Sequence, residues 1–199
     1  MIKGTAPALN SPGPMDLVSQ AVPLVLDLGC GNGSFLARLA ADQPGWNFLG
    51  VEKKDYRVRQ SRRRTLDLPN AQVWHGEATE ALQEVPLGRV VRAYLLFNDP
   101  WPKRRHAVRR LVQSSFLELL ASRLQSDGCV FFASDSEEYF VWAQEVFTLG
   151  RWTLSRWVVE PDQPQSEFER RFATEGIPLW RFQARPTRLR ADESSQANL

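Results

Sequence analysis

Leu24-Val25-Leu26-Asp27-Leu28-Gly29-Cys30-Gly31-Asn32-Gly33-Ser34 decides the fold. Five residues that are apolar apart from Asp27 read as a short buried strand. Glycines alternate at 29, 31 and 33, and a helical run follows from Phe35 to Ala41. Strand, glycine turn and helix open a nucleotide-type α/β unit. Glycine lets the backbone approach a ligand closely, and the helix start offers unpaired N–H donors. A dinucleotide site would want a third glycine at position 34, where Ser34 stands. An acid, Asp27, lies two residues before the first glycine instead.

Outward from this turn, strands and helices alternate. Asn47 to Glu52 reads as a second strand ending in an acid, 19 residues after Gly33, where a carboxylate can accept both hydroxyls of a ribose. Residues 53–66 read as a basic helix, and Ala71 to Glu77 as a third strand with Glu77 at its end. A short helix covers 78–84, and Val91 to Phe97 is a fourth strand. Apolar residues at 112, 116, 119, 120 and 124 predict a helix over 109–124. Ser126-Asp127-Gly128 reads as a turn, Cys129 to Ala133 as a fifth strand, and 137–149 as a helix. Trp152 to Val159 and Leu179 to Ala184 read as the last two strands, separated by a polar stretch over 160–176. This alternation predicts an α/β fold, a mostly parallel seven-stranded sheet with helices on both faces. The organisation expected is a flexible N-terminal arm over 1–20, one domain over 21–186, and a flexible tail over 187–199.

The fourth strand runs into Asn98-Asp99-Pro100-Trp101-Pro102-Lys103-Arg104-Arg105-His106. Ligands of open α/β sheets sit just past the carboxyl ends of strands. A carboxylate, an indole and a cationic cluster arrive there together. The prolines fix φ on either side of Trp101 and steer Asp99 and Trp101 away from helix, so the loop is expected to be rigid.

Composition bounds the class. The 199 residues are 43% hydrophobic and 24% charged, with a net charge of +2, as for one globular domain. Twelve of the 25 Lys and Arg residues fall within 53–64 and 103–110, a distribution suited to phosphate. Cys30 and Cys129 have no metal-type spacing and read as buried thiols. No apolar run reaches the ~18 residues of a membrane span, and the N-terminus lacks a secretory pattern, so a cytoplasmic protein with no membrane partner is expected.

The acid followed by alternating glycines resembles the first motif of class I S-adenosylmethionine-dependent methyltransferases, Rossmann-like enzymes. Taken with Asp99-Pro100-Trp101-Pro102-Lys103, Arg105-His106, Arg109-Arg110-Leu111, Ala133-Ser134-Asp135 and Ser166-Glu167-Phe168-Glu169, the chain over 24–183 resembles the bacterial tRNA (guanine-N7-)-methyltransferase family. The resemblance implies transfer of a methyl group from S-adenosylmethionine to N7 of a guanine in the tRNA variable loop. It implies a cofactor pocket of Asp27, Gly29, Gly31, Gly33, Glu52, Glu77 and Asp99, and because a carboxylate near the purine would stabilise the charge that develops there, Asp99 is the expected catalytic residue. It implies substrate contacts from Lys103, Arg105, His106, Asp135, Ser166, Glu167, Phe168 and Glu169. It implies tRNA as partner, no metal, and a monomer or homodimer. The chain departs from the family at Asn98, at Ser166, at Glu167 where a basic residue is usual, and at Glu77 where a shorter side chain is usual. The alternatives are a methyltransferase acting on another RNA base or an amine, and a non-catalytic RNA-binding relative.

Overall fold

The computed structural model describes residues 16–159 and 165–187. The expectations for 1–15 and 188–199 lie outside the described residues. Seven strands form one sheet, and their order in chain sequence is β1 (Leu24–Leu28), β2 (Asn47–Glu52), β3 (Ala71–His75), β4 (Val90–Leu96), β5 (Leu124–Ser134), β6 (Trp152–Ser155) and β7 (Trp180–Pro186). Their spatial order is β3-β2-β1-β4-β5-β7-β6. The first five run parallel, and β7 enters antiparallel between β5 and β6. The chain winds outward through β2 and β3, then returns to the other side of β1 to lay down β4. That reversal makes a crevice at the carboxyl ends of β1 and β4.

The period-two alternation of side chains divides the core in two. Leu24, Leu26 and Leu28 of β1 face α4 (Ala78–Glu84), α5 (Ser114–Arg123) and α6 (Glu137–Leu149), in a cluster with Leu82, Phe116, Tyr139 and Phe147. Val25 faces the other way, into a cluster with Phe35, Leu36 and Leu39 of α2 (Ser34–Asp42), Phe48 and Tyr94. Asp27, two residues after Val25, belongs to this second face. Its carboxylate is therefore buried by the geometry of a strand covered on both sides.

Several boundaries differ from those read in the sequence. Asp16–Ser19 of the expected arm is a short helix, α1, whose Leu17 and Val18 are buried. The basic run forms α3 (Asp55–Arg64). Residues 104–109 make a 3₁₀ turn, and α5 begins only at Ser114. The expected turn at 126–128 lies inside β5 as a bulge: Val90 pairs with Leu124 and Arg92 with Cys129, so β5 takes five steps where β4 takes two. β6 stops at Ser155. Within the polar stretch, Glu167–Glu175 is a helix, α7, that the sequence reading lacked. Its signal is Ser166-x-x-Glu169, a capping box in which Glu169 N–H donates to Ser166 Oγ at 3.1 Å and Ser166 N–H donates to Glu169 Oε2 at 2.7 Å.

Candidate active site

A cleft of about 440 Å³ opens at the crevice between β1 and β4. The glycine turn forms its floor. Gly29 and Cys30 N–H donate to Val51 O, at 2.8 and 2.9 Å, which ties the turn to the end of β2. Gly29 has φ 94° and Gly33 has φ 77°, backbone that side-chain-bearing residues rarely adopt. A Cβ at Gly33 would collide with Ser61 of α3, so this glycine serves helix packing, and it stands back from the cleft wall.

Glu52 is buried at the end of β2. Its Oε2 accepts from Gly31 N–H at 3.1 Å, and its Oε1 accepts from Lys53 and Lys54 N–H at 2.9 and 2.8 Å. The carboxylate is thus aimed by three backbone donors while still lining the cleft. Asp27 has no such support, since its Oδ2 is buried without a hydrogen-bond partner among the described residues. Burial, helped by the charge of Glu52, pushes the Asp27 carboxyl up to about 7.

A raised acid has a defined linkage sign. Between the unfolded value and about 7 the folded protein holds a proton that the unfolded chain has released, so stability falls as pH rises through that window. The ligand-free protein should therefore melt at a lower temperature at about pH 8 than at about pH 5, and Asp27→Asn should remove much of that difference. Thermal melts of both proteins across the range test this. Equal pH dependence in the two would overturn the assignment.

The second wall is the loop after β4. Phe97 has φ 53° and Trp101 has φ 44°, left-handed backbone in two bulky residues within five positions. Such conformations cost on the order of 1–2 kcal/mol each and gather at functional sites. Phe97 packs against Phe168 and Phe172 of α7, with ring centroids 6.0 and 5.5 Å apart. Trp101 meets His106 edge-on at 5.8 Å, and Arg109 lies over its ring at 5.0 Å. Asp99 is exposed on the cleft wall, 3.7 Å from Lys54 Nζ.

The cleft brings together Asp27, Gly29, Gly31, Glu52, Glu77 and Asp99, together with Ser166, Glu167 and Phe168. Glu77 reaches it in a different role from the expected strand end. β3 stops at His75, and Glu77 is the N-cap of α4, in a capping box with Glu80 and 3.5 Å from Lys53 Nζ. Lys103, Arg105, His106, Asp135 and Glu169 stand outside the cleft wall. Asp135 is exposed just past β5. Arg105 contacts His106, Nε to Nε2, at 3.4 Å. Glu169 is buried and pairs with Arg181 at 3.0 Å in addition to capping α7. Glu167 is held by Asn32 Nδ2 of the glycine turn, so α7 is fastened across the cleft floor.

Residues given no site role from the sequence also line the cleft, among them Tyr56, Arg57, Asn98, Arg109 and Arg171. Arg171 follows from α7, one turn after its cap, so reading the capping box would have placed it. Part of the basic runs is engaged within the fold. Arg59 pairs with Asp55, Arg62 and Arg64 donate to Val73 O and Asn32 O, and Arg110 is buried against Glu138. Among the described residues, no group of three or more His, Cys, Asp or Glu could hold a metal ion, and no helix is long and apolar enough to cross a membrane.

A sheet wound in this order, with an acid-and-glycine turn after β1 and a second acid after β2, is that of the class I S-adenosylmethionine-dependent methyltransferases. The acids fit that cofactor: an unpartnered buried carboxylate oxygen suits a ligand that brings positive charge, and Glu52 suits a pair of hydroxyl donors. Solved structures with this fold include a precorrin-6Y C5,15-methyltransferase from Geobacter metallireducens, with a TM-score of 0.61 and 13% identity over 86% of this chain and 84% of that one. Another is a 30S ribosomal A1408 methyltransferase from an uncultured bacterium, with a TM-score of 0.59 and 15% identity over 86% of this chain and 91% of that one. The family model described as "Putative methyltransferase" matches residues 21–182. The tRNA (guanine-N(7)-)-methyltransferase of Limosilactobacillus reuteri is 33% identical over 80% of this chain and 79% of its own length. That of Bordetella pertussis is 34% identical over 85% and 71%. That of Thermus thermophilus is 39% identical over 67% of this chain, which spans 44% of the Thermus protein's length. The chain belongs to the tRNA (guanine-N(7)-)-methyltransferase family.

Proposed function

We propose that this chain transfers a methyl group to N7 of a guanine in the variable loop of tRNA, in the cytoplasm. The observation that carries the reading is the placement of Asp99. Its carboxylate is exposed on a strained, proline-flanked loop, in the same cleft as Asp27 and Glu52. The cofactor, when bound, supplies a methyl group on a sulfonium, which makes that carbon electrophilic. Guanine N7 carries a lone pair and no proton. With the cofactor bound, formation of the N7–C bond would displace the methyl carbon from sulfur to leave a neutral thioether, so no base has to act at N7. What remains for the protein is positioning and electrostatics.

Glu52, held by three backbone donors, is placed to accept ribose hydroxyls. Asp99 is placed to accept hydrogen bonds from the guanine N1–H and amine, which selects guanine over adenine, and to stabilise the positive charge that grows on the purine. Arg57 and Arg109 line the same cleft and offer charge to flanking phosphates. Exposed Lys103 and Arg105 extend that charge beyond it. Glu167, engaged with Asn32, serves better as a brace between cofactor turn and α7 than as a phosphate contact.

Labelled S-adenosylmethionine incubated with unmodified tRNA, followed by nucleoside analysis, tests the reading. N7-methylguanosine is the expected product, and a methyl group on any other nucleoside overturns it. The logarithm of the tRNA affinity should fall linearly with the logarithm of salt concentration. A salt-independent affinity would remove phosphate neutralisation from the account.

A further inference from the structure

Asn98 stands between left-handed Phe97 and Asp99, and its side chain turns back to the glycine turn. Its Nδ2 donates to Leu28 O at 2.8 Å. Exchanging the amide's oxygen and nitrogen would set two acceptors against each other, so the donor is assigned by its partner. Nδ2 also occupies the space in which a Cβ on residue 29 would stand, so the absence of a side chain at Gly29 makes room for this amide. The loop is held at its far end by Arg110, whose Nε donates to Pro100 O at 2.8 Å. It is held at its near end by Asn98, and by Phe97 N–H donating to Ala133 O at 2.8 Å. Asp99 lies between these tethers, and the one from Asn98 leads to the cofactor turn itself.

We infer that Asn98 is a positioning residue, whose carboxamide locks the substrate loop to the glycine turn and so sets where Asp99 stands relative to the methyl group being transferred. The inference rests on the proposed methyl transfer. It separates affinity from turnover. The glycine turn keeps its own bonds to Val51 O and Glu52 without Asn98, so cofactor binding should survive loss of the amide. The reacting geometry should not, because misplacement by about 1 Å can cost a hundredfold in rate.

The test compares wild type with Asn98→Ala, Asn98→Asp and Asn98→Ser. The readouts are kcat at saturating tRNA and S-adenosylmethionine, affinity for S-adenosylhomocysteine by calorimetry, and melting temperature. Asn98→Ala and Asn98→Asp should lose about tenfold or more in kcat, with thioether affinity within about threefold of wild type. Asn98→Ser should retain more, because its hydroxyl can still donate. A space-filling role predicts the opposite order, with the isosteric Asp best. The inference falls if Asn98→Ala keeps its kcat, if Asp outperforms Ser, or if the lost turnover follows thioether affinity or melting temperature. Wild-type protein that binds the thioether yet methylates no tRNA overturns the reaction reading together with the inference. Wild-type activity left intact in Asn98→Ala overturns the inference alone.

Discussion

Asp99→Asn should lower kcat by about 10²–10³ while leaving cofactor affinity and folding nearly unchanged, an effect of the size seen when one preorganised electrostatic contact is removed from an active site. The substitution keeps the shape of the side chain. Asp99 is exposed and its charged neighbour, Lys54, lies at 3.7 Å across a solvated gap, so the fold does not depend on the pair. The chemistry does. Guanine presents donors, N1–H and an amine, to this position, and an amide offers one acceptor where the carboxylate offered two. The negative charge is also gone as positive charge moves onto the purine. Because that charge develops only during transfer, the loss should fall on kcat more than on KM for tRNA. Single-turnover methylation with saturating enzyme isolates the step, and calorimetry with S-adenosylhomocysteine checks the cofactor site. Turnover within about threefold of wild type would remove Asp99 from the mechanism. Asp135→Asn should do less, because Asp135 stands outside the cleft wall.

What was legible in the sequence was whatever the backbone period enforces. An acid at the fourth place of the run 24–28 had to face the same side as Val25, and a glycine turn after it had to open at the carboxyl end of the strand. Glu52 was legible for the same reason. The parallel sheet follows from alternation of strand and helix, whereas alternation alone does not choose the strand order, so the reversal beside β1 is visible only in the structure. Helix α7 was missed because its composition is polar overall, though the capping box Ser166-x-x-Glu169 announced it. Reading Ser166 and Glu169 only as substrate contacts passed over the local work they do. Glu77 was read at a strand end, but Gly76 had already ended the strand and Glu77 caps the next helix. That the loop at 98–106 carries two φ-restricting prolines was legible. Its left-handed turn at Trp101 was not, because proline restricts its neighbours without choosing a positive φ for them. Charge counting sees a run of arginines and cannot see which one the core has taken.

That one is Arg110, and its removal is expected to be costly in two ways. Its side chain is 3% exposed, with Nη2 2.6 Å from Glu138 Oε1. Nε donates to Pro100 O at 2.8 Å and Nη2 to Trp101 O at 3.3 Å. The guanidinium lies over the rings of Tyr139 and Trp142 at 5.6 and 5.1 Å. Arg110→Met keeps the aliphatic bulk and removes the fork. Glu138 is 59% exposed and returns to water at little cost, but two carbonyls of the substrate loop lose a charged donor. The expected destabilisation is about 2–3 kcal/mol, measured by denaturant unfolding. With its carbonyl released, Trp101 can leave φ 44° for an ordinary conformation, and Asp99 moves with the loop, so kcat should fall by about tenfold or more. Arg110→Lys should resemble Met more than wild type, because an ammonium cannot reproduce the planar fork or the ring contacts. Salt titration of tRNA binding separates this role from phosphate binding. A bracing Arg110 leaves the slope of log affinity against log salt unchanged when it is replaced, whereas one that binds a phosphate would reduce the slope by about 0.7–0.9 and leave stability intact. The second pattern would return Arg110 to the RNA-binding surface, and the left-handed loop would need another tether.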